Sequence, residues 1–84
     1  MIQIIVSVFD RASNAFGRPI FVPAIGAAIR SFQDEVNREA QDNTMYHHPD
    51  DYDLFELGTY NDEDGSIETL DKPKQIAIGK QLKS

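Results

Sequence analysis

The sequence predicts an α+β fold, one amphipathic helix packed on a small, mainly antiparallel β-sheet, with elements in the order β-β-α-β-β-β. Three observations predict it. Residues 2–9 are dense in β-branched side chains with an aliphatic residue at every second position. Ile25, Ala28, Ile29, Phe32 and Val36 recur at spacings of three and four. Residues 53–60 and 66–70 flank a turn that closes on Gly65.

In the first strand, Ile2, Ile4, Val6 and Val8 form the aliphatic face, and Gln3, Ile5, Ser7 and Phe9 form a mixed one. Such a strand reads as central, covered by a helix on its aliphatic side and partly wet on the other. Residues 10–18 contain the turn formers Asp10, Ser13, Asn14 and Gly17 and read as a loop. Residues 19–22 are a short extended piece between two prolines. Pro23 suits the first position of a helix, where its missing N–H costs nothing. The apolar stripe and an i,i+4 ladder of Arg30, Asp34 and Arg38 carry that helix from residue 23 to about residue 40, with Asp42-Asn43-Thr44 ending it. Residues 45–51 read as a polar loop. A hairpin follows, with Gly65 at the position needing a positive φ. Lys72-Pro73-Lys74 breaks the chain before a last short strand at residues 75–79.

The chain has 84 residues, so one domain over 1–84 is expected, with a basic tail over 72–84 free to be flexible. A two-domain enzyme with an interdomain cleft is excluded. With no cysteine there is no disulfide scaffold, thiolate zinc site or cysteine nucleophile, which suits a reducing cytoplasm. The longest apolar run, residues 4–6, is far short of the roughly 20 residues a membrane span needs, and no basic segment precedes a signal-like stretch. A soluble, intracellular protein is expected, with no membrane partner.

Fourteen acids against eight Lys and Arg give a formal net charge of −6, unevenly spread. Residues 1–38 hold four arginines and three acids, residues 39–71 hold eleven acids and no Lys or Arg, and residues 72–84 hold four lysines and no acid. A solvated hairpin and a solvated tail are the plain account of such runs. The sharper account has the arginine loop and lysine tail meeting phosphate, or meeting the acidic hairpin of another copy.

Two clusters invite a metal reading and neither supports it. His47 and His48 are adjacent beside Pro49, so their rings diverge, and no second histidine-rich segment completes a tetrahedral set. Counting back from Gly65 on the EF-hand pattern puts Tyr60 at the first ligand position, which cannot ligate calcium. No phosphate-cradling glycine motif, nucleophile–base order or cofactor fingerprint occurs. The expectation is a protein that is not an enzyme and holds no cofactor or metal.

Binding chemistry is better represented. Phe9, Phe16 and Phe21 alternate with Arg11 and Arg18 within thirteen positions. Rings and guanidinium planes stack on unpaired bases and cations pair with phosphates, a combination suited to single strands. The expected nucleic-acid-binding residues are Arg11, Phe16, Arg18, Phe21, Arg30, Lys72, Lys74 and Lys80.

Two ordered sets of residues also resemble a known family. Ser7-Val8-Phe9-Asp10-Arg11-Ala12, Phe16, Pro19-Ile20-Phe21, Gly26-Ala27-Ala28-Ile29-Arg30-Ser31-Phe32, Asp34 and Asn37 make the first set. The run from His48-Pro49-Asp50-Asp51 through Tyr60-Asn61-Asp62, followed by Gly65, makes the second. Together they resemble, over residues 3–79, the small nonstructural proteins of gokushoviruses, single-stranded DNA phages of the microvirus family. The resemblance implies a protein acting in the cytoplasm of the infected bacterial host, a candidate DNA-binding protein linked to the stage at which single-stranded genomes are made. It brings no catalytic residues.

The expected function is therefore binding of single-stranded DNA, without strong sequence preference, during genome replication or the switch to single-strand synthesis. Net negative charge opposes this, since phosphate binders are usually basic. A homodimer or higher homo-oligomer resolves the conflict by lining up Arg11, Arg18 and the lysines of two copies, as does an acidic segment that competes for the groove. The alternative is an acidic interaction module that acts on a viral or host replication protein without touching DNA.

Overall fold

Strand β1 (Ile2–Asp10) organises the fold because it takes partners along both edges. The computed structural model describes residues 1–84. On one edge, β2 (Ala15–Phe16) pairs with the end of β1 and β3 (Ile20–Val22) with its middle; on the other lies β4 (Tyr52–Asn61), followed by β5 (Ser66–Ile78). Every pairing is antiparallel, and the sheet order is β2-β1-β4-β5, with β3 continuing the β2 side. The class is α+β, a curled antiparallel sheet with a few helices. The molecule is elongated, 41 × 22 × 20 Å, because the β4–β5 hairpin is long.

The helices are α1 (Ile25–Val36), α2 (Thr44–His47) and α3 (Gly79–Leu82), with a 3-10 turn at Pro49–Asp51. Helix α1 buries Ala28, Phe32 and Val36 against Val6 and Leu54, and Ile4, Val8, Val22, Met45 of α2 and Leu82 of α3 pack around that core. The even positions of β1 thus meet the helices, as its aliphatic face predicts.

The order β-β-α-β-β-β and the single helix need correction, since the chain runs β-β-β-α-α-β-β-α. The loop over residues 10–18 contains β2, placed by the Phe9↔Phe16 pairing. Helix α1 starts two residues after Pro23, with the extended Ala24 at its N-cap, and ends at Val36 instead of near Ala40. Asparagines account for the early end. Asn43 Nδ2 donates to Glu35 O and Arg38 O, carbonyls that a longer helix would have used, and Asn37 Nδ2 donates to Gln33 O and to Leu82 O of α3. Asn43, itself buried, also accepts from Met45 N to cap α2.

The predicted break at Lys72-Pro73-Lys74 and the separate strand after it are one strand, β5. Its register against β4 slips between Glu56↔Lys74 and Gly58↔Thr69, so that residues 70–73 bulge opposite Leu57. Pro73 is tolerated because β5 is the outer strand and the bulge releases it from the ladder. Residues 72–84, read as a basic tail, form the end of β5, then α3 and the last two residues, where Ser84 N donates to Asn37 Oδ1. The hairpin turn has the expected left-handed glycine, Gly65 at φ 76°.

Candidate nucleic-acid interface

The odd positions of β1 face away from the helices, and the cross-strand register shows what joins them. Phe16 is opposite Phe9, Phe55 opposite Ser7, Phe21 opposite Ile5 and Tyr60 opposite Gln3. Cross-strand partners share a face, so five aromatic rings occupy the helix-free side of the sheet. They form two groups. Phe9, Phe16 and Phe55 make one, with ring centroids 4.9 Å apart for Phe9–Phe16, 6.0 Å for Phe9–Phe55 and 5.4 Å for Phe16–Phe55. Phe21 and Tyr60 make the other, edge to face at 5.4 Å. In both groups a ring from the β2–β3 side meets one from β4 across β1, and Ile5 and Ser7 beneath are buried. Phe16 and Phe21 remain 44% and 45% exposed.

A β-bulge makes this face continuous. Phe55 and Tyr60 are five residues apart, which in a regular strand puts them on opposite faces. The register slips where Ile5↔Gly58 is followed by Val6↔Glu56, and the additional residue Leu57 restores the parity. Gly58 is required beside it: a Cβ there would lie 2.1 Å from Glu68 O and 2.9 Å from Thr69 Cα.

Two arginines border this face, in different settings. Arg18, exposed and without a hydrogen bond or ion pair, lies in the connection between Phe16 and Phe21. That connection is pinned to β1, since Gly17 N donates to Val8 O at 2.8 Å and Ser7 Oγ donates to Gly17 O at 2.8 Å. Arg11 has a different role from the free cation the sequence suggests. Its guanidinium donates to Asp53 Oδ2 and to Asp50 O, and its N–H donates to Asp51 O at 2.8 Å, tying β1 to the turn before β4. Asp53 is buried, opposite Phe9, and its Oδ1 has no hydrogen-bond partner, so Arg11 is its compensating charge.

The other candidate residues lie elsewhere. Arg30 is exposed on α1, Lys80 is on α3, and Lys74, opposite Glu56 and hence Val6, shares the helix side by register. Lys72 lies in the β5 bulge. The structure therefore brings Arg11, Phe16, Arg18 and Phe21 to one face and its edge, and places Arg30, Lys74 and Lys80 across the sheet. Sequence reasoning missed Phe55 and Tyr60. Gly58 inside an aromatic strand was the available signal, because an interior glycine marks a bulge or close backbone approach.

Two clefts lie on the helix side. One, about 400 Å³ and mainly apolar, runs between α1 and the β1–β3 edge, lined by residues including Ile20, Val22, Phe32 and Met45. The other, about 470 Å³ and more polar, is bordered by Asp10, Asp42 and the Glu35–Arg38 pair, and reaches Phe16 and Gly17 at the sheet edge. The bond from Arg38 Nε to Glu35 Oε1, 2.6 Å, holds the Glu35 carboxyl below its ordinary 4.5 and raises Arg38 in turn. In the histidine segment, His47 Nε2 lies 3.1 Å from Ala40 O and its ring packs edge-on against Tyr46. No helix is long and apolar enough to cross a membrane.

The hairpin tip is acidic. Asp62 Oδ1 pairs with the N-terminal ammonium at 2.6 Å, and Asp64 Oδ1 accepts from Ser66 N, which lowers the Asp64 carboxyl below its usual value.

Compared with known proteins, residues 3–82 match a family model described as Phage ORF5 protein. No curated protein and no solved structure matches the chain.

Proposed function

The chain belongs to the Phage ORF5 protein family, and on that premise we propose that it binds single-stranded DNA on the helix-free face of its sheet. One observation carries the reading. Five aromatic side chains share that face, two of them near half exposed, and an unpaired Arg18 sits on the edge between those two. Bases stack on rings whatever their identity, while a guanidinium meets phosphate, so the face suits unpaired strands without strong sequence preference. The biological setting is the one suggested by the likeness to gokushovirus nonstructural proteins, namely genome replication or the switch to single-strand synthesis in the bacterial cytoplasm. The role is binding, without catalysis.

Net charge limits the affinity, and self-association is the route by which two copies would pool their cations. We extend the proposal to a homodimer or higher homo-oligomer, which sedimentation at high micromolar concentration reads directly: a monomer there removes this route.

The test is anisotropy of a labelled single-stranded oligonucleotide at several salt concentrations, with duplex of the same sequence as competitor. Micromolar binding is expected, preferring single strands and weakening with a log–log salt slope of roughly −0.7 for the one free arginine of each copy and about twice that across a dimer. Arg18→Glu should abolish it. Arg11 is unsuitable for this purpose because its loss would leave Asp53 buried without a counter-charge. Folded protein that binds no DNA at low salt, and whose binding to a basic replication protein weakens when Asp62, Glu63 and Asp64 are neutralised, overturns the proposal in favour of the acidic module.

A further inference from the structure

The aromatic face is divided, and the division has a consequence for the ligand. Phe16 is held by Phe9 on one side and the Phe55 ring on another, and Phe21 is held by Tyr60. Each exposed ring is thus fixed by edge-to-face or tilted contacts, which leave it ordered before any base arrives. The two rings sit at different levels of the sheet. Phe16 is opposite Phe9 and Phe21 is opposite Ile5, four residues apart on β1, or about 13 Å along the strand. The Gly17-Arg18-Pro19 connection, pinned to β1 at Gly17, spans that interval at the edge, so that Arg18, exposed and unpaired, lies in the chain between the residues that carry the two exposed rings.

We infer that the face holds two separate base-stacking subsites, one at Phe16 and one at Phe21, bridged by Arg18 on the intervening phosphates, and that its ligand is a short stretch of single strand long enough to reach both. The inference rests on the single-strand reading above and adds a length requirement to it. At about 3.4 Å per nucleotide in a stacked strand, and about twice that in an extended one, the span asks for three to five nucleotides. A dinucleotide reaches only one ring at a time.

Equilibrium competition by unlabelled oligothymidylates of two to eight nucleotides tests this on the full chain at low, constant salt. Wild type should show a step in affinity between three and five nucleotides, on the order of tenfold, the usual worth of one stacked base. Phe21→Ala should remove the step and leave the dinucleotide bound at the Phe16 subsite within about twofold, and Phe16→Ala should do the same through the Phe21 subsite. Phe21→Leu keeps apolar cover over Ile5 while removing the π-face, and it should behave like Phe21→Ala if stacking is responsible. Far-ultraviolet circular dichroism identical to wild type establishes that each variant is folded. Two outcomes separate the ideas. A smooth rise in affinity with length, unchanged by either substitution, overturns the two subsites while leaving single-strand binding intact. Absence of binding at every length overturns the single-strand reading and the subsites with it.

Discussion

The two faces of β1 come from one alternating strand but treat aromatic rings differently. On the even-position side, Phe32 of α1 is 4% exposed and joins Val6, Val36 and Leu54 in the core; on the odd-position side, Phe16 and Phe21 stay near half exposed. The first face is closed by a helix that the local apolar spacing specifies. The second is closed only partly, by rings leaning on one another across the strand. A ring buried under a helix serves stability, whereas an ordered ring left open to solvent is available for a ligand.

The same chemical change on the two faces should separate these roles most sharply. Phe32→Ala is expected to destabilise the fold by about 4 kcal/mol, through lost burial and the cavity left behind. Phe21→Ala, losing a half-exposed ring and one edge-to-face contact, should cost about 1 kcal/mol. Urea denaturation measures both. Equal losses would make the odd face a second core and undo the comparison.

Next in size is Gly58→Ala, which drives a methyl group into the β5 backbone and should cost about 3 kcal/mol. Because the bulge beside Gly58 sets the parity that brings Tyr60 onto the face of Phe55, this variant should also lose near-ultraviolet dichroism from the Phe21–Tyr60 pair. Retention of that signal in a destabilised variant would detach the bulge from the aromatic face.

What was legible in the sequence follows the range of the interactions. Alternation in β1, the three-and-four spacing of α1 and the glycine at the hairpin turn are local patterns, and the structure has all three. The even face was legible because its helix shares the same apolar signal. The odd face was half legible: Phe16 and Phe21 stand close to Phe9 in sequence, but Phe55 and Tyr60 join them only through a register slip that strict alternation cannot anticipate. Arg11 shows the same limit. Its composition suggests a phosphate ligand, and its partner Asp53 is 42 residues away. Strand β5 passes through Pro73 for a tertiary reason as well, since only its place at the sheet edge makes the missing N–H harmless.

Arg11→Ala comes third, at about 2 kcal/mol, because the substitution strands a buried carboxylate while solvent reaches half of the guanidinium it removes. A double substitution with Asp53→Asn should recover part of the loss, and thermal melts of the four proteins of the cycle would show it. Full additivity would mean that the pair does not hold the end of β1 to β4. Asn43→Ala, which removes the N-cap of α2 and the side-chain donor to Glu35 O at the end of α1, should cost between about 1 and 2 kcal/mol.

The smallest effect belongs to the helix side and carries a pH signature. Hydrogen bonding to Arg38 holds the folded-state pKa of Glu35 below its ordinary 4.5, so the folded chain releases that proton more readily than the unfolded one. The stability drawn from the pair is then fully present above pH 4.5 and disappears as the pH falls through the lowered value. Wild type should exceed Glu35→Gln in melting temperature at neutral pH by a small margin that closes on acidification and narrows with added salt. The single-strand face contains none of these groups, so Glu35→Gln should leave oligonucleotide affinity unchanged. A matching loss of affinity would carry the ligand past the Phe16 edge into the polar cleft beside α1, which Phe16 also lines, and away from Phe21.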